Sequence, residues 1–446
     1  MAETQVTGSS KPLSLPPSIV IVGGGAGGLV LATRLARKTY RDKLCRVTLV
    51  DDSLTHIWKP LLHEIAAGSL NSYEDELNYY SHAHRNHYVF QLGKLVGLNR
   101  QSKQISLASV SDSYGEVLVP ARELSYDILI LSLGSVGNYF GIPGVKEYCS
   151  VLDSRSKAEH LHSKILGAFM AGNTKDMAIN AEFELNINII GAGPTGVELA
   201  SELNSTLPNF KEYGSDYIKS GSTKITLIEA GPSVLPGQSE KMILEATTAI
   251  KKMNIDLLLN TRVTEVTKES VIVDNREPLN SSITIWTTGV KAPDVLRRLD
   301  GLETNRNDQV VVNSTLQSVT DEHIYAIGDC AEFLSNGKRL APRAQVAQQQ
   351  AVFLAQSLIN RCKDSASTDF HFDDKGTFVS LGNKNSVGTL LGTMFGSLNF
   401  HGFAAKIAYV LLYRQHQVEL FGVYKTSILI FKDTLTRALG PKVKLH

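Results

Sequence analysis

Two stretches of this chain carry glycines at the spacing that lets a backbone cradle a pyrophosphate. Gly23-Gly24-Gly25-Ala26-Gly27-Gly28 follows the apolar run Ile19 to Val22, and Gly191-Ala192-Gly193-Pro194-Thr195-Gly196 follows Ile187 to Ile190. In each G-x-G-x-x-G the first glycine (Gly23, Gly191) permits a tight strand-to-helix turn. The second (Gly25, Gly193) lets backbone approach the phosphates, and the third (Gly28, Gly196) lets the helix pack on the strand. Unpaired N–H groups and the dipole at a helix start then favour the negative charge. Each loop is followed by a second apolar strand ending in an acid, Val47 to Asp51 and Ile225 to Glu229. A carboxylate there can accept hydrogen bonds from a ribose diol. Asp51 fits the expected spacing of roughly 20 residues. Glu229 comes later, behind Lys211 to Thr223, a polar, glycine-punctuated stretch that reads as an inserted loop. Ordinary glycine turns would not bring the paired acids. Two such units imply two nucleotides, and a protein holding two commonly passes electrons between them.

The elements that must position these loops follow from the pattern between them. Strand, helix and turn signals alternate from Ile19 to about Leu133, as in a doubly wound parallel sheet. Tyr126 to Leu133 reads as a buried strand ending at Gly134. Pro143-Gly144 marks a boundary, and Ser156 to Ala171 reads as a helix leading into the second unit. That unit closes at Ile283 to Thr288, again ending at a glycine, Gly289. Ile324 to Ile327 is a further strand, with Gly328-Asp329 at its C-terminal end, where ligands of open parallel sheets bind. The reading is an α/β chain with two Rossmann-like dinucleotide-binding domains, the second inserted in the first. Residues 1–17 are a disordered lead-in, 18–150 and 293–364 the two parts of the first domain, 151–292 the second domain, and 365–446 a C-terminal region of different character.

Bulk properties narrow the function. At 446 residues the chain can build two or three cores. A net charge of +1, from 45 basic and 44 acidic residues, offers no field for nucleic acid. Cys45, Cys149, Cys330 and Cys362 form no C-x-x-C and read as free thiols in a reducing compartment. The lead-in, with one basic residue before Ser18 and no apolar core, is neither a secretory signal nor an Arg-rich transit peptide. No stretch reaches the roughly 18 apolar residues of a spanning helix. His82, His84 and His87 lack the cysteine or carboxylate pattern of a metal site, so no metal is expected.

With both loops and Gly328-Asp329 in view, the chain resembles the two-dinucleotide-binding flavoprotein superfamily. Three further stretches resemble the type II NADH:quinone oxidoreductases: His56 to Glu64, Gly134 through Asn138 to Gly141, and Ala344-Gln345-Val346-Ala347-Gln348-Gln349, an A-Q-x-x-x-Q pattern. The resemblance spans essentially everything after the lead-in. One departure from the family's pattern is His63. The resemblance implies FAD at Gly23, Gly25, Ala26, Gly27, Gly28, Asp51, Lys59, Gly134, Gly328 and Asp329. It implies NAD at Gly191, Gly193, Gly196, Glu229 and Gly289. It further implies non-proton-pumping oxidation of NADH, through FAD, by a membrane quinone (ubiquinone or menaquinone), in a homodimer. Lys59, beside a proline turn, could equally be a surface lysine. Glu229 would favour NADH, because a carboxylate repels a 2′-phosphate and Ala230-Gly231 supplies no compensating arginine.

Arg343 to Leu354 lacks helix breakers, so Gln345 and Gln349 should share a helix face. Their amides can bond quinone carbonyls or the flavin edge without bringing charge into an apolar pocket. The alternative is a solvated polar face. Glu198 is expected in the first turn of the second unit's helix, ionised by the dipole. It either orients or shuttles protons, or simply caps the helix alongside Glu202. The first unit's helix, Leu29 to Lys38, and Trp58-Lys59-Pro60 contain no cysteine, which argues against a dithiol relay.

Phe403 to Tyr413 and Ile428 to Leu439 read as amphipathic helices. From residue 401 onward seven bases face only Glu419 and Asp433. Basic amphipathic helices lie on anionic membrane surfaces, whereas packing on the core or on a second subunit is the bland alternative. With no transit peptide, the expected location is peripheral, on the cytoplasmic face of a bacterial inner membrane. Two rival functions remain at this point. One is a soluble NAD(P)H-dependent reductase of a protein electron carrier such as a ferredoxin; the other is a redox-gated interaction module without turnover.

Overall fold

The computed structural model describes residues 16–71, 73, 76–175, 184–213, 223–335, 337–363, 365, 368–382, 386–392, 396–401 and 403–439. The lead-in before residue 16 and most of the expected inserted loop therefore lie outside the described residues. Strands β1 (Ser18–Val22), β2 (Arg46–Asp51), β3 (Val89–Leu92) and β4 (Ile128–Leu131) build a first sheet. The chain then leaves for a second sheet, β5 (Cys149–Val151), β6 (Leu185–Ile190), β7 (Thr223–Ile228), β8 (Asp256–Leu258) and β9 (Ile283–Trp286). It returns to the first with β10 (Ile324–Ala326). The first sheet runs in the order β10-β4-β1-β2-β3 and the second β5-β9-β6-β7-β8, every pair parallel. The internal repeat thus extends from the loops to strand order. Strands such as Ile128–Leu131 are buried along their whole length, in a core that also takes in Leu31, Leu354 and, from an antiparallel sheet, Ile105 and Leu107.

Seven helices carry the site: α1 (Gly28–Thr39), α2 (Leu62–Ala67), α3 (Arg155–Lys175), α4 (Pro194–Thr206), α5 (Ala344–Cys362), α6 (Phe403–Phe421) and α7 (Val423–Leu439). Four of them outrun the sequence reading by more than one residue at an end. Helix α3 begins one residue earlier and continues to Lys175, and α5 continues eight residues past Leu354. Helix α6 runs on through Arg414 to Gln417, polar residues that look like an end, because His416 and Gln417 are buried against the body of the protein. Helix α7 starts at Val423, so the two C-terminal helices form a hairpin broken at Gly422.

Three apolar cores form among the described residues: one on the first sheet, a second on the second sheet, and a third around Val145, Ile190, Ile228 and Trp286. Helix α2, although it follows the first unit's strand β2, packs Leu62, Ile65 and Ala66 into the second core, together with Val379 and Leu381 of the C-terminal region. That region opens with an antiparallel sheet, β11 (Gly376–Ser380), β12 (Ser386–Gly392) and β13 (Gly396–His401). The end of α6 is fastened to α1. Arg34 pairs with Glu419 at 2.6 Å, and Arg37 donates to the Glu419 and Leu420 carbonyls at 3.1 and 2.7 Å. Those carbonyls lack helical partners, so a cation placed there satisfies both the lone pairs and the dipole. Arg37→Ala is expected to lower stability by about 1.5–3 kcal/mol, the range for hydrogen bonds to charged groups. It should also make limited proteolysis cut first beyond residue 401. An unchanged melting temperature and cleavage pattern would show that the hairpin is held by its apolar contacts alone.

Candidate functional site

Each phosphate loop is built around one close approach. Gly23 and Gly191 adopt φ of +103° and +107°, in the left-handed region that side chains avoid. A Cβ on Gly28 would fall 1.8 Å from the Gly23 carbonyl oxygen, and one on Gly196 1.9 Å from that of Gly191. A Cβ on Gly25 or Gly193 would meet nothing within 4 Å. The second glycine of each loop therefore faces open space, as a phosphate cradle requires. Gly27 packs the first loop onto α5, where a Cβ would come within 3.1 Å of the Ala347 carbonyl.

The two acids clamp their own loops. Asp51 accepts from the Gly24 N–H at 2.6 Å and the Ser53 N–H at 2.8 Å, while burial pushes its carboxyl up to about 6. Glu229 accepts from the Ala192 and Gly231 N–H groups, both at 2.8 Å. Each carboxylate retains lone pairs for a ribose diol. At the end of β10, Asp329 accepts from the Ser135 hydroxyl at 2.7 Å, and burial raises its pKa. Lys59 converges on the same place, its Nζ 3.7 Å from where a Gly134 Cβ would stand. Gly289, at the end of β9, takes φ of +72°, and its carbonyl accepts from the Asn138 N–H at 3.1 Å. The Phe140 ring fills the space a Cβ would need there.

The two glutamines read as partners divide. Gln349 exchanges hydrogen bonds with the backbone of Asp373, at 2.7 and 3.0 Å, and so fixes the approach to β11. Gln345 keeps a buried Oε1 with no partner. Their neighbour Gln350, almost fully buried, accepts from the Gly328 N–H at 2.7 Å and holds the Gly328-Asp329 turn. The signal for it was present: Gln350 falls in the stripe Val346, Ala347, Ala351 and Leu354 that α5 buries, where an amide needs a partner.

Glu198 departs from expectation. It is the fifth residue of α4, past the first turn, and therefore caps nothing. Its Oε1 accepts from the Ser380 N–H of β11 at 3.1 Å, and its Oε2 lies 3.6 Å from Nδ1 of His63 on α2. Burial outweighs the dipole and pushes the carboxyl up to about 7. Among the described residues neither Gln345 nor Gln349 hydrogen-bonds to it. Other residues escaped the sequence reading altogether. Tyr79 Oη donates to the Gly24 carbonyl at 2.7 Å, and His56 Nδ1 reaches the same oxygen at 3.0 Å. Across its ring, His56 Nε2 meets Nε2 of His416 on α6 at 3.2 Å. His82 and His87 serve structure: His82 contacts Tyr88 Oη at 2.9 Å, and His87 stacks on Tyr40. Cys330, next to Asp329, is wholly buried and its thiol is pushed up to about 12, far from a nucleophile's range.

The pyridine nucleotide-disulphide oxidoreductase family matches residues 17–351. The type II NADH:quinone oxidoreductase of Haemophilus influenzae is 40% identical over 443 residues, 96% of this chain and 100% of that protein. The chain belongs to the type II NADH:quinone oxidoreductases. The enzyme of that name from Staphylococcus aureus is 28% identical, over 84% of this chain and 90% of its own. A solved NDH2 of Plasmodium falciparum in complex with NADH has the same fold, with a TM-score of 0.80 at 19% identity, covering 96% of this chain and 99% of that one. The family assignment accounts for the α/β architecture and the paired loops.

The high proton affinity of Glu198 has a thermodynamic consequence. Its folded pKa of about 7 exceeds the ordinary 4.5, so across that window the folded chain keeps a proton that the unfolded chain has lost. Stability therefore falls as pH rises through the window. Glu198→Gln should raise stability by on the order of 3 kcal/mol at pH 8 and change it little at pH 4. Melting curves at the two pH values check this, and an equal shift at both would assign the effect to packing.

Proposed function

We propose that this chain oxidises NADH and passes the electron pair through FAD to a membrane quinone, without pumping protons. The single observation that carries the reading is two complete phosphate loops, each clamped by its own carboxylate, in a chain 40% identical along nearly its whole length to a type II NADH:quinone oxidoreductase. Gly23, Gly25, Ala26, Gly27, Gly28 and Asp51 would hold the FAD pyrophosphate and ribose, with Lys59, Gly134, Gly328 and Asp329 along the rest of the cofactor. The open space at Gly25, the left-handed Gly23 and the convergence of Lys59 on Gly134 fit that group. Bound FAD supplies the two-electron chemistry that no side chain here can perform. The protein's own work is to bind and orient. Gly191, Gly193, Gly196 and Gly289 cradle NADH, and Glu229 repels a 2′-phosphate. Gln350 fixes the turn at Gly328. Gln349 spends its amide on the Asp373 backbone, so Gln345 is the glutamine left to engage the quinone: its unpartnered Oε1 would accept from a quinol hydroxyl, and its NH2 would donate to a quinone carbonyl.

The enzyme would sit as a homodimer on an anionic membrane, on the cytoplasmic face of a bacterial inner membrane. Among the described residues no helix is long and apolar enough to cross one. Support for surface attachment comes from α7, where Tyr424, Ile428, Phe431 and Leu435 are exposed at one-face helical spacing. Part of the basic surplus is spent internally, since Arg414 pairs with Asp433 at 2.7 Å. Lys425 and Lys432 flank the apolar stripe, the arrangement of interfacial helices.

Two experiments test the reading. Purified holoenzyme should turn over NADH with a short-chain quinone and prefer NADH to NADPH. Glu229→Ala should erase most of that preference, and retention of it would refute the role of Glu229. Replacing Ile428 and Phe431 together by Glu should abolish co-sedimentation with anionic vesicles while leaving turnover of a water-soluble quinone intact. Undiminished binding would remove α7 as the anchor, and a loss of the dimer would assign the stripe to a second subunit.

A further inference from the structure

Two thiols from distant parts of the chain meet where α1 and α5 end. Cys45 closes the corner between α1 and β2 and is buried in the first core. Cys362 is the last residue of α5, packs against that core and stays partly exposed. The two side chains hydrogen-bond to each other. Lys38 joins the same helices nearby, its Nζ donating to Gln356 Oε1 at 3.1 Å. At its other end α5 packs Ala347 against Gly27, beside the first phosphate loop and the start of α1.

The pair is chemically asymmetric. The Thr39 hydroxyl spends its proton on the Leu35 carbonyl at 2.7 Å, so its oxygen can accept from Cys45 at 3.4 Å. The Cys45 S–H therefore has two acceptors, Thr39 and the Cys362 sulfur. A negative Cys362 draws that proton toward itself. This hydrogen bond lowers the Cys362 pKa, burial opposes it, and the charge of Arg361 adds to it. The same bond, together with burial, holds the Cys45 proton in place. A partly exposed thiol of lowered pKa beside a second sulfur is how a reactive cysteine stands next to its resolving partner. By contrast, burial pushes Cys149 and Cys330 each up to about 12, which keeps them as thiols at neutral pH.

The geometry points to Cys45 and Cys362 as a reversible oxidation site, where a hydroperoxide joins them in a disulfide that clamps the α1–β2 corner to the end of α5. The site stands apart from the flavin and quinone chemistry proposed above. A small, uncharged oxidant suits a sulfur that is only partly exposed. The Cys362 thiolate attacks one peroxide oxygen. An S–O bond forms, the O–O bond breaks, and hydroxide leaves as water with a proton from solvent. Cys362 is then a sulfenic acid, no longer the anion that held the Cys45 proton. The Cys45 sulfur displaces the sulfenic oxygen, which departs with the Cys45 proton as a second water as the S–S bond forms. Two thiols and one peroxide thus give a disulfide and two waters, the thiols losing the two electrons that the peroxide gains. Sulfurs in hydrogen-bond contact move less than about 2 Å to reach the S–S length. In a reducing compartment such a bond is transient, as a sensor requires.

The test treats reduced holoenzyme with stoichiometric hydrogen peroxide at neutral pH, blocks the remaining thiols in denaturant and maps peptides by mass spectrometry without reductant. A peptide joining Cys45 to Cys362, lighter by two hydrogens and split by dithiothreitol, is expected, with Cys149 and Cys330 recovered as blocked thiols. Before oxidation, Cys362 should be the thiol that iodoacetamide modifies fastest, by about 10-fold or more. Cys45→Ser should leave Cys362 as a sulfenic acid that dimedone traps, and Cys362→Ser should leave Cys45 unoxidised. The cross-linked enzyme should melt about 3 °C or more above the reduced one, because the bond restrains the unfolded chain. A wild type that forms no such peptide, or that carries a sulfinic acid at Cys362 instead, overturns the site. A cross-linked form that melts no higher than the reduced one overturns the clamp. Both readings use the wild type, so they decide the matter even where a variant fails to fold.

Discussion

The structure hangs on a contact that leaves no room for a carbon atom. At Gly28 and Gly196 the first turn of a helix runs so close to the end of the preceding strand that the carbonyl of Gly23 or Gly191 occupies the place of a Cβ. That approach sets the angle of α1 and α4 against their sheets and turns the first N–H groups of each helix toward an open cradle. The carboxylates of Asp51 and Glu229 then tie the loops to the neighbouring strands. Strand order in the two sheets repeats because the same constraint is solved twice.

Between the two solutions lies a seam where elements of all three regions meet. Helix α2 of the first unit is buried in the second unit's core, and β11 reaches over α4 from the C-terminal region. Ionisable groups caught in that seam are governed by desolvation rather than by helix dipoles. A dipole contributes typically 0.3–1 kcal/mol at a helix end, while full burial moves a carboxyl by several pKa units. Glu198 follows the larger effect.

What could be read from the residues was whatever is local along the chain. The phosphate loops, their acids and the strand ending at Gly328 are each defined within a few residues, so type and spacing sufficed. All of the site's helices but α2 were found, but their ends were not, because α6 continues through Arg414 to Gln417 only by burying His416 and Gln417 against distant partners. The same holds for the site's supporting contacts. His56 meets His416, Gln350 meets Gly328 and Ser380 meets Glu198 across separations that no periodicity reports. Glu198 was expected in the first turn and ionised, whereas its burial and its protonation depend on α2 and β11, which approach it from other parts of the fold.

Helix α1 joins two tasks. Its first residue, Gly28, shapes the nucleotide loop, and Arg34 and Arg37 near its other end grip the closing turn of α6. A rod of 12 residues therefore joins the proposed cofactor loop to the seat of the C-terminal hairpin, the geometry for coupling one to the other. Linkage makes such coupling reciprocal: whatever free energy a filled loop lends to the hairpin's grip, a seated hairpin returns to the filled loop.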